Sequence, residues 1–394
     1  MEMGEKVDLF LEVGPHPLAP YGTLKLTLGI KGEKVECVDV VVGYVHRGIE
    51  KLCENRKYLQ LLPILGKIDH LSACSYELGF VLAVEKLLGI KNEIPERANY
   101  IRVILAELSR IVSHLTWLGT SAVEFGMEKV CLLAFEDRER IMKLFEQLSG
   151  TQSYAGFIKI GGVSQDFSEK FLQELADFVD EFFEKISKYE ELLTENRVWK
   201  LRTVGVGIID KDTAISWGIT GPVLRAAGCD YDVRKYYPYC VYDKLEFNVP
   251  VYHNGDVYDR YRVRIDEMKE SLKIIKQCIE NLPEGNTIIN NSKFVLPKKD
   301  EIYETLTNLI KHFYLTVHGI KPPPGEVYQA VEGPRGELGY YIVSNGTDKP
   351  YRVRIRTPSF TNLSILPEIL KGYFLDDVVP ILNSLDPLMG EVDR

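Results

Sequence analysis

No two cysteines in this chain stand in a CxxC spacing. The seven, Cys37, Cys53, Cys74, Cys131, Cys229, Cys240 and Cys278, are scattered singly. That pattern argues against a disulfide framework and against a self-contained zinc or iron–sulfur site. Most of them read as small buried hydrophobes, and any metal chemistry must draw its ligands mainly from another polypeptide. Nucleotide motifs are missing too. There is no P-loop, the Ile158-Lys159-Ile160-Gly161-Gly162-Val163 turn lacks the spacing and βαβ context of a dinucleotide fingerprint, and Gly205-Val206-Gly207 alone is weak. No apolar run reaches membrane-spanning length, and the start, MEMGEKVDLFLEVG, lacks the basic opening and long apolar core of a signal peptide. A net charge of −9 with acids and bases interspersed argues against a nucleic-acid partner and a polybasic membrane anchor. The expectation is a soluble, cytoplasmic chain. Its 394 residues are enough for several lobes or for one elaborated core with appended sheets.

What is present is organised around Lys67 to Glu85, a mostly apolar, helix-forming tract interrupted by His70, Cys74 and Glu77. It reads as one wall of a buried site, with a helix continuing to Leu88 and closed by Gly89. Upstream, residues 7–13 and 23–42 alternate with the period of strands about a turn at 31–34. Between them Gly14 to Gly22, with three prolines, forms a rigid loop able to present His16 or Tyr21 into a cavity. A helix is expected from Ile49 to about Leu62, broken by Pro63 and Gly66. Pro95 opens a strongly periodic helix to about Leu118, on which Glu107, Arg110 and His114 share a face as a structural hydrogen-bonded triplet. Further amphipathic helices are expected at 130–148, 168–196, 261–280 and 299–318. Residues 199–260, rich in Gly, Pro, Asp and Tyr, read as loops with short strands that cover a core. Pro322-Pro323-Pro324-Gly325 links to a hairpin of 338–343 and 351–356, then to a short helix near 365–371 and the tail Asp386 to Arg394.

The segments HRGIEKL (46–52), YLQLLP (58–63), LAVEKLLGI (82–90), PERANYIRVILAELSRIVSHL (95–115), IGGV (160–163), EGPRGELGYY (332–341), RIRTPSF (354–360) and SLDPLMGEVDR (384–394) are collinear over nearly the whole chain. Together they resemble the hydrogenase-like large subunit of respiratory complex I and its relatives, homologous to the large subunit of nickel–iron hydrogenases. The resemblance implies an α+β fold with a central helical bundle. Residues 1–45 would form an N-terminal β-element with its site loop, 46–320 a helical core with the insertion 199–260, and 321–394 a C-terminal β-region with a site-facing tail.

A nickel–iron centre needs four soft thiolates. By the resemblance their positions fall at Leu71, Cys74, Leu388 and Glu391, so three of the four are missing and hydrogenase chemistry is excluded. Cys74 then reads as a packed remnant. No cofactor is expected on this chain alone, and the 4Fe-4S cluster facing the cavity belongs to a small iron–sulfur partner subunit.

In complex I the vacated cavity takes a quinone headgroup, bonded by a loop histidine and by a tyrosine. Here the loop histidine corresponds to Tyr21, the tyrosine to His70, and the histidine's aspartate partner to Glu124. These three are the candidate catalytic residues. Near the partner cluster a histidine corresponds to Tyr154 and an arginine to Lys67, while Arg47 is retained. Tyr21 and His70 still offer one phenol and one imidazole for a two-electron, two-proton reduction. Loss of the imidazole by the cluster points to a lower-potential acceptor. Three functions follow as expectations. The first is a catalytic component of a complex-I-like, ion-translocating oxidoreductase, peripheral on the cytoplasmic face of the membrane beside other peripheral and membrane subunits, reducing a quinone or quinone-like acceptor. The second is a component of a ferredoxin-dependent sulfane sulfur reductase acting on polysulfide. The third is a non-catalytic scaffold. The electron donor is decided by other chains.

Overall fold

The computed structural model describes residues 7–15, 17–19, 22–151, 156–291, 293–297 and 299–394, of which 17–19 are described by backbone alone. The first sheet is antiparallel, in the order β1 (Leu9–Val13), β2 (Lys25–Lys31), β3 (Lys34–Val41). Alternation sets the faces of β2: Leu26, Leu28 and Ile30 are buried, while Lys25 and Thr27 stay partly open. The expected turn lies between Lys31 and Lys34.

Helix α1 (Ile49–Asn55) and helix α2 (Tyr58–Leu65) replace the single helix expected over 49–62. Lys57 is extended and caps α2, with its N–H bonded to the Gln60 side chain at 3.2 Å. Pro63 does not end the helix. It sits inside α2 on an exposed position, and Gly66 is the terminus.

Helix α3 (Ala73–Leu88) is shorter than its apolar tract. Asp69 explains why: its Oδ1 accepts the backbone N–H groups of Leu71 at 2.8 Å and Ser72 at 3.1 Å, which holds 69–72 as a turn in competition with helix. His70 therefore stands ahead of α3 rather than on it. Gly89, at φ 74°, closes α3 as expected.

The centre of the molecule is α4 (Glu96–Glu124), buried nearly all round. Helix α5 (Glu128–Ser149), α6 (Glu169–Leu193) and α7 (Val257–Glu280) pack with it as a bundle. Helix α8 (Leu306–His318) lies outside and buries only Leu315. The described residues of 199–260 contain no strand. Short helices at Arg197–Thr203, Lys211–Ser216, Pro222–Ala226 and Val233–Tyr236 take their place, started by Asn196, Asp210 and Asp232 as N-caps and by Pro222 at the first turn. Aspartates that read as loop formers are helix caps. The region also belongs to the interior, since Arg225, Asp232 and Arg234 are buried.

The last sheet is antiparallel, β4 (Gly325–Gly333), β5 (Gly336–Ser344), β6 (Arg352–Arg356), with β5 in the middle and β4 lying against α3. The hairpin about 344–348 is as expected. Strand β4 was hidden in the sequence by the proline run directly before it. Helix α9 (Val378–Ser384) and helix α10 (Met389–Val392) form the end of the chain. The architecture is α+β. One large apolar core joins α1 to α7 with the C-terminal sheet, and a second joins the N-terminal sheet with the C-terminal helices.

Candidate functional site

The tail meets the turn that carries His70. Gly390 lies so close to it that a Cβ there would stand 2.6 Å from the Ile68 carbonyl oxygen, so only glycine fits. Asp393 ties the tail to the stretch before α1. Its carboxylate accepts the N–H groups of Gly43 at 2.8 Å and Val45 at 3.0 Å, and its carbonyl lies 2.7 Å from His46 Nδ1. On the other side the N-terminal loop is pinned at both ends. The backbone of 17–19 packs on α9, and 22–23 packs on α10, where a Cβ on Gly22 would come within 2.6 Å of Met389 Cβ. The tail is thus a wedge between the loop and the His70 turn.

Arg47, Lys67 and His70 come together on this wedge. Arg47 Nη2 donates to the Lys67 carbonyl at 3.1 Å, and Arg47 also acts on the His70 imidazole. All three are exposed. His70 is nevertheless desolvated by the protein around it, which, with the nearby cations Arg335, Arg138 and Arg47 outweighing Asp69, lowers its pKa.

Glu124 has the same character at the C-terminal end of α4. It is exposed, its Oε1 accepts from Asn383 Nδ2, and the surrounding protein pushes it up to about 7. Asn383 belongs to α9, and its carbonyl accepts Trp117 Nε1 at 2.7 Å, so Glu124 joins the site through the tail rather than through His70. Tyr21 and Tyr154, like His16, lie outside the described residues.

The four positions that would carry nickel thiolates converge, but not as ligands. Leu71 and Leu388 touch as a small apolar pair, and Cys74 is fully buried in the main core with its thiol raised by burial. Glu391 accepts Tyr76 Oη at 2.6 Å and the Ser359 hydroxyl. Two leucines in contact leave no donor set for such a centre. Beside these groups, Arg335 Nη1 donates to Asp69 Oδ2 at 2.7 Å, and its Nε lies 3.2 Å from Asp386 Oδ2. Reading by residue type passed over Asp69, Arg335 and Asp386. The signal was there: carboxylates in otherwise apolar tracts at both ends of the chain.

Glu77 is the third interruption of the 67–85 tract. It is buried on α3, its Oε1 accepts the Gly156 N–H, and burial pushes it up to about 8.

A second ionic cluster lies within the bundle. Glu107 accepts Arg110 Nε at 3.1 Å, Arg234 Nη1 at 3.1 Å, Tyr242 Oη at 2.6 Å and Ser271 Oγ at 2.6 Å. His114 pairs with Glu267 at 2.9 Å instead of with its own helix, and Glu267 also accepts Arg225 Nη2 at 2.6 Å. The Glu107–Arg110 part of the expected triplet is therefore present, and His114 is recruited by α7.

An α+β chain that brings proton-bearing side chains from its two ends together fits the class of oxidoreductase components that work inside a multisubunit assembly. Comparison with known proteins gives the family. Residues 124–394 match the model described as "Respiratory-chain NADH dehydrogenase, 49 Kd subunit", and the chain belongs to that family. It is 45% identical over 98% of its length to an NADH-quinone oxidoreductase subunit of Geotalea uraniireducens, of which it covers 98%. It is likewise 45% identical to an NADH-quinone oxidoreductase subunit of Koribacter versatilis, over 100% of this chain and 98% of that one. Against a longer NADH-quinone oxidoreductase subunit of Aquifex aeolicus the identity is 45% over 99% of this chain and 67% of that one. The chain is a complex I catalytic-core subunit. Among the described residues no helix is long and apolar enough to cross a membrane.

Proposed function

We propose that this subunit reduces a quinone in the cleft between the N-terminal loop, the His70 turn and the tail, with electrons delivered one at a time from a 4Fe-4S cluster in a small partner subunit. The convergence of Arg47, Lys67 and His70 on the tail that also carries the Glu124 partner supports this reading above any other observation. His70 donates a hydrogen bond to one quinone oxygen, and Tyr21 supplies a phenol. Glu124, poised near neutrality, sets the protonation of the loop. Arg47, Lys67 and Tyr154 serve the partner's cluster, where the two cations favour its reduced state.

The subunit sits in the peripheral part of the complex, on the cytoplasmic side, and its reaction drives ion movement in membrane subunits. Helix α8 supports assembly with neighbours: Leu306, Leu309, Ile310, Phe313, Tyr314 and Val317 form an exposed apolar stripe at helical spacing.

The test uses the assembled complex with a soluble quinone in one arm and polysulfide in the other. His70→Ala and Tyr21→Phe are each expected to lower quinone turnover about a hundredfold while leaving assembly intact. Full turnover in both variants, or reduction of polysulfide in preference to quinone, overturns the assignment.

A further inference from the structure

Four charged groups from three parts of the chain meet around Arg335, next to His70 through Asp69, the residue before it. Asp69 comes from the turn before α3, Arg335 from the turn between β4 and β5, and Asp386 and Glu391 from the tail. All are at most 2% exposed. Their carboxyls are not equivalent. Both oxygens of Asp69 are occupied, one by two backbone N–H groups and the other by Arg335. Asp386 accepts no side-chain hydrogen bond among the described residues beyond its ionic contact with Arg335. It also holds a φ of +53°, a left-handed conformation shared among described non-glycine residues only with Cys240. Glu391 accepts two hydroxyls, from Tyr76 and Ser359, and each of these can turn to accept a proton from it instead.

Three buried carboxyls face one guanidinium. Arg264, bound to the carbonyls of Arg260 and Ser384, adds a second positive charge at longer range. Tyr76 is the other titratable group in contact, and Tyr340 and Arg394 act on Glu391 from farther off. Arg394 is paired with Glu50 at 3.6 Å, so around Arg335 and Arg264 the acids still outnumber the cations by one. A buried, uncompensated carboxylate costs several kcal/mol, so one of the three keeps its proton. Burial, opposed by Arg335 and aided by Asp69, pushes Glu391 up to about 7, and Asp386 is raised in the same way.

His70 needs such a neighbour. Its lowered pKa leaves it a neutral imidazole at neutral pH. A neutral ring can hand its N–H proton to an acceptor only if its other nitrogen takes one up, since imidazolate is out of reach.

We propose that Asp386 and Glu391, held in register by Arg335 and Asp69, store one exchangeable proton next to His70 and release it when the acceptor is reduced. The proposal rests on the reading of His70 as the acceptor-side donor. A quinone taking two electrons from the partner's cluster takes two protons. The store supplies one and becomes more negative by one charge, and solvent at the open face of His70 supplies the other. Solvent refills the store after the product leaves. Asp386 and Glu391 are positioning residues in this scheme, since they act through His70.

Infrared difference spectra of the assembled complex test the store directly. A protonated-carboxyl band that shifts in D2O should appear below neutral pH and fade above it. The component of it that belongs to Glu391, distinct from those of the raised Glu77 and Glu124, should be absent in Glu391→Gln and return in Glu391→Asp. Ser359→Ala, which changes no charge, should move it. Quinone turnover in Glu391→Gln should fall about tenfold at unchanged KM, while one-electron dye reduction at the partner clusters stays normal. Persistence of the band at full intensity in both Glu391→Gln and Asp386→Asn overturns the proposal. Failure of the underlying reading looks different: His70→Ala then leaves quinone turnover intact while the band still depends on Glu391.

Discussion

Two of the ionic clusters buried among the described residues are built in opposite ways. In the bundle, Glu107 takes four donors and Glu267 takes three, among them the guanidinium groups of Arg110, Arg225 and Arg234. Burial opposes ionisation of Glu107, yet Arg110 and Arg234 hold it at about 2. Next to His70 the single Arg335 serves Asp69 and Asp386, and Glu391 has only hydroxyls. Its carboxyl moves the other way, to about 7. Saturation fixes Glu107 and Glu267 as charges, while Glu332 at the edge of the same cluster, held by Arg225 alone among side chains, is pushed up by burial to about 7. Shortage of donors makes the second responsive near neutral pH, which is where a proton-coupled reaction needs it.

The largest effect should come from breaking the saturated cluster. Arg225→Met leaves Glu267 and Glu332 without their main cation in a fully buried site, and such a break costs about 3–5 kcal/mol. Denaturant unfolding of the full chain measures it, and a loss below about 1 kcal/mol would show that the cluster tolerates an unpaired charge.

The pH dependence of stability should separate the two clusters next. For Glu107 the folded value is depressed from 4.5 to about 2, so its contribution is complete above 4.5 and is lost as pH falls toward 2. Glu391 is raised from 4.5 to about 7, so the folded chain holds a proton that the unfolded chain has released. Stability should therefore decline as pH rises between those values, with Glu391 contributing at most about 1.4 kcal/mol per pH unit. Glu391→Gln should remove its share of that decline, to which the raised carboxyls of Glu77, Glu124 and Glu332 also contribute, and leave the acid limb unchanged. An unchanged slope in the variant would place the titration on another group.

Periodicity made most of this fold legible. The 3.6-residue pattern from Ile101 to Leu115 and the period-2 strands on either side of Gly32 depend on local burial, and the structure keeps them. Where a side chain competes with the backbone, the pattern misleads. Asp69 takes two N–H groups out of helical use and moves the start of α3 to Ala73, and Asp210 and Asp232 start helices in a region whose composition reads as loop. The site was half legible for a similar reason. His70, Arg47 and Glu124 stand out by residue type, whereas the Arg335 contacts with Asp69 and Asp386 join residues 266 and 51 positions apart along the chain. No local pattern carries such a pairing.

Cys74 gives the smallest expected effect and tests the boundary between the clusters. It is fully buried one turn after Asp69 and one turn before Glu77, yet it packs with the apolar core and touches neither ionic cluster by a hydrogen bond. Burial, with Glu77 adding to it, raises its thiol well above the ordinary range, so at neutral pH it is an uncharged, unreactive group. Cys74→Ala should cost about 1 kcal/mol of stability through lost packing and leave quinone turnover and KM unchanged. Cys74→Ser should cost more, because its hydroxyl enters an apolar site without a partner. If Cys74→Ala instead lowers turnover at unchanged stability, the thiol touches the acceptor, and the cleft extends past the Leu71–Leu388 contact into what is otherwise core.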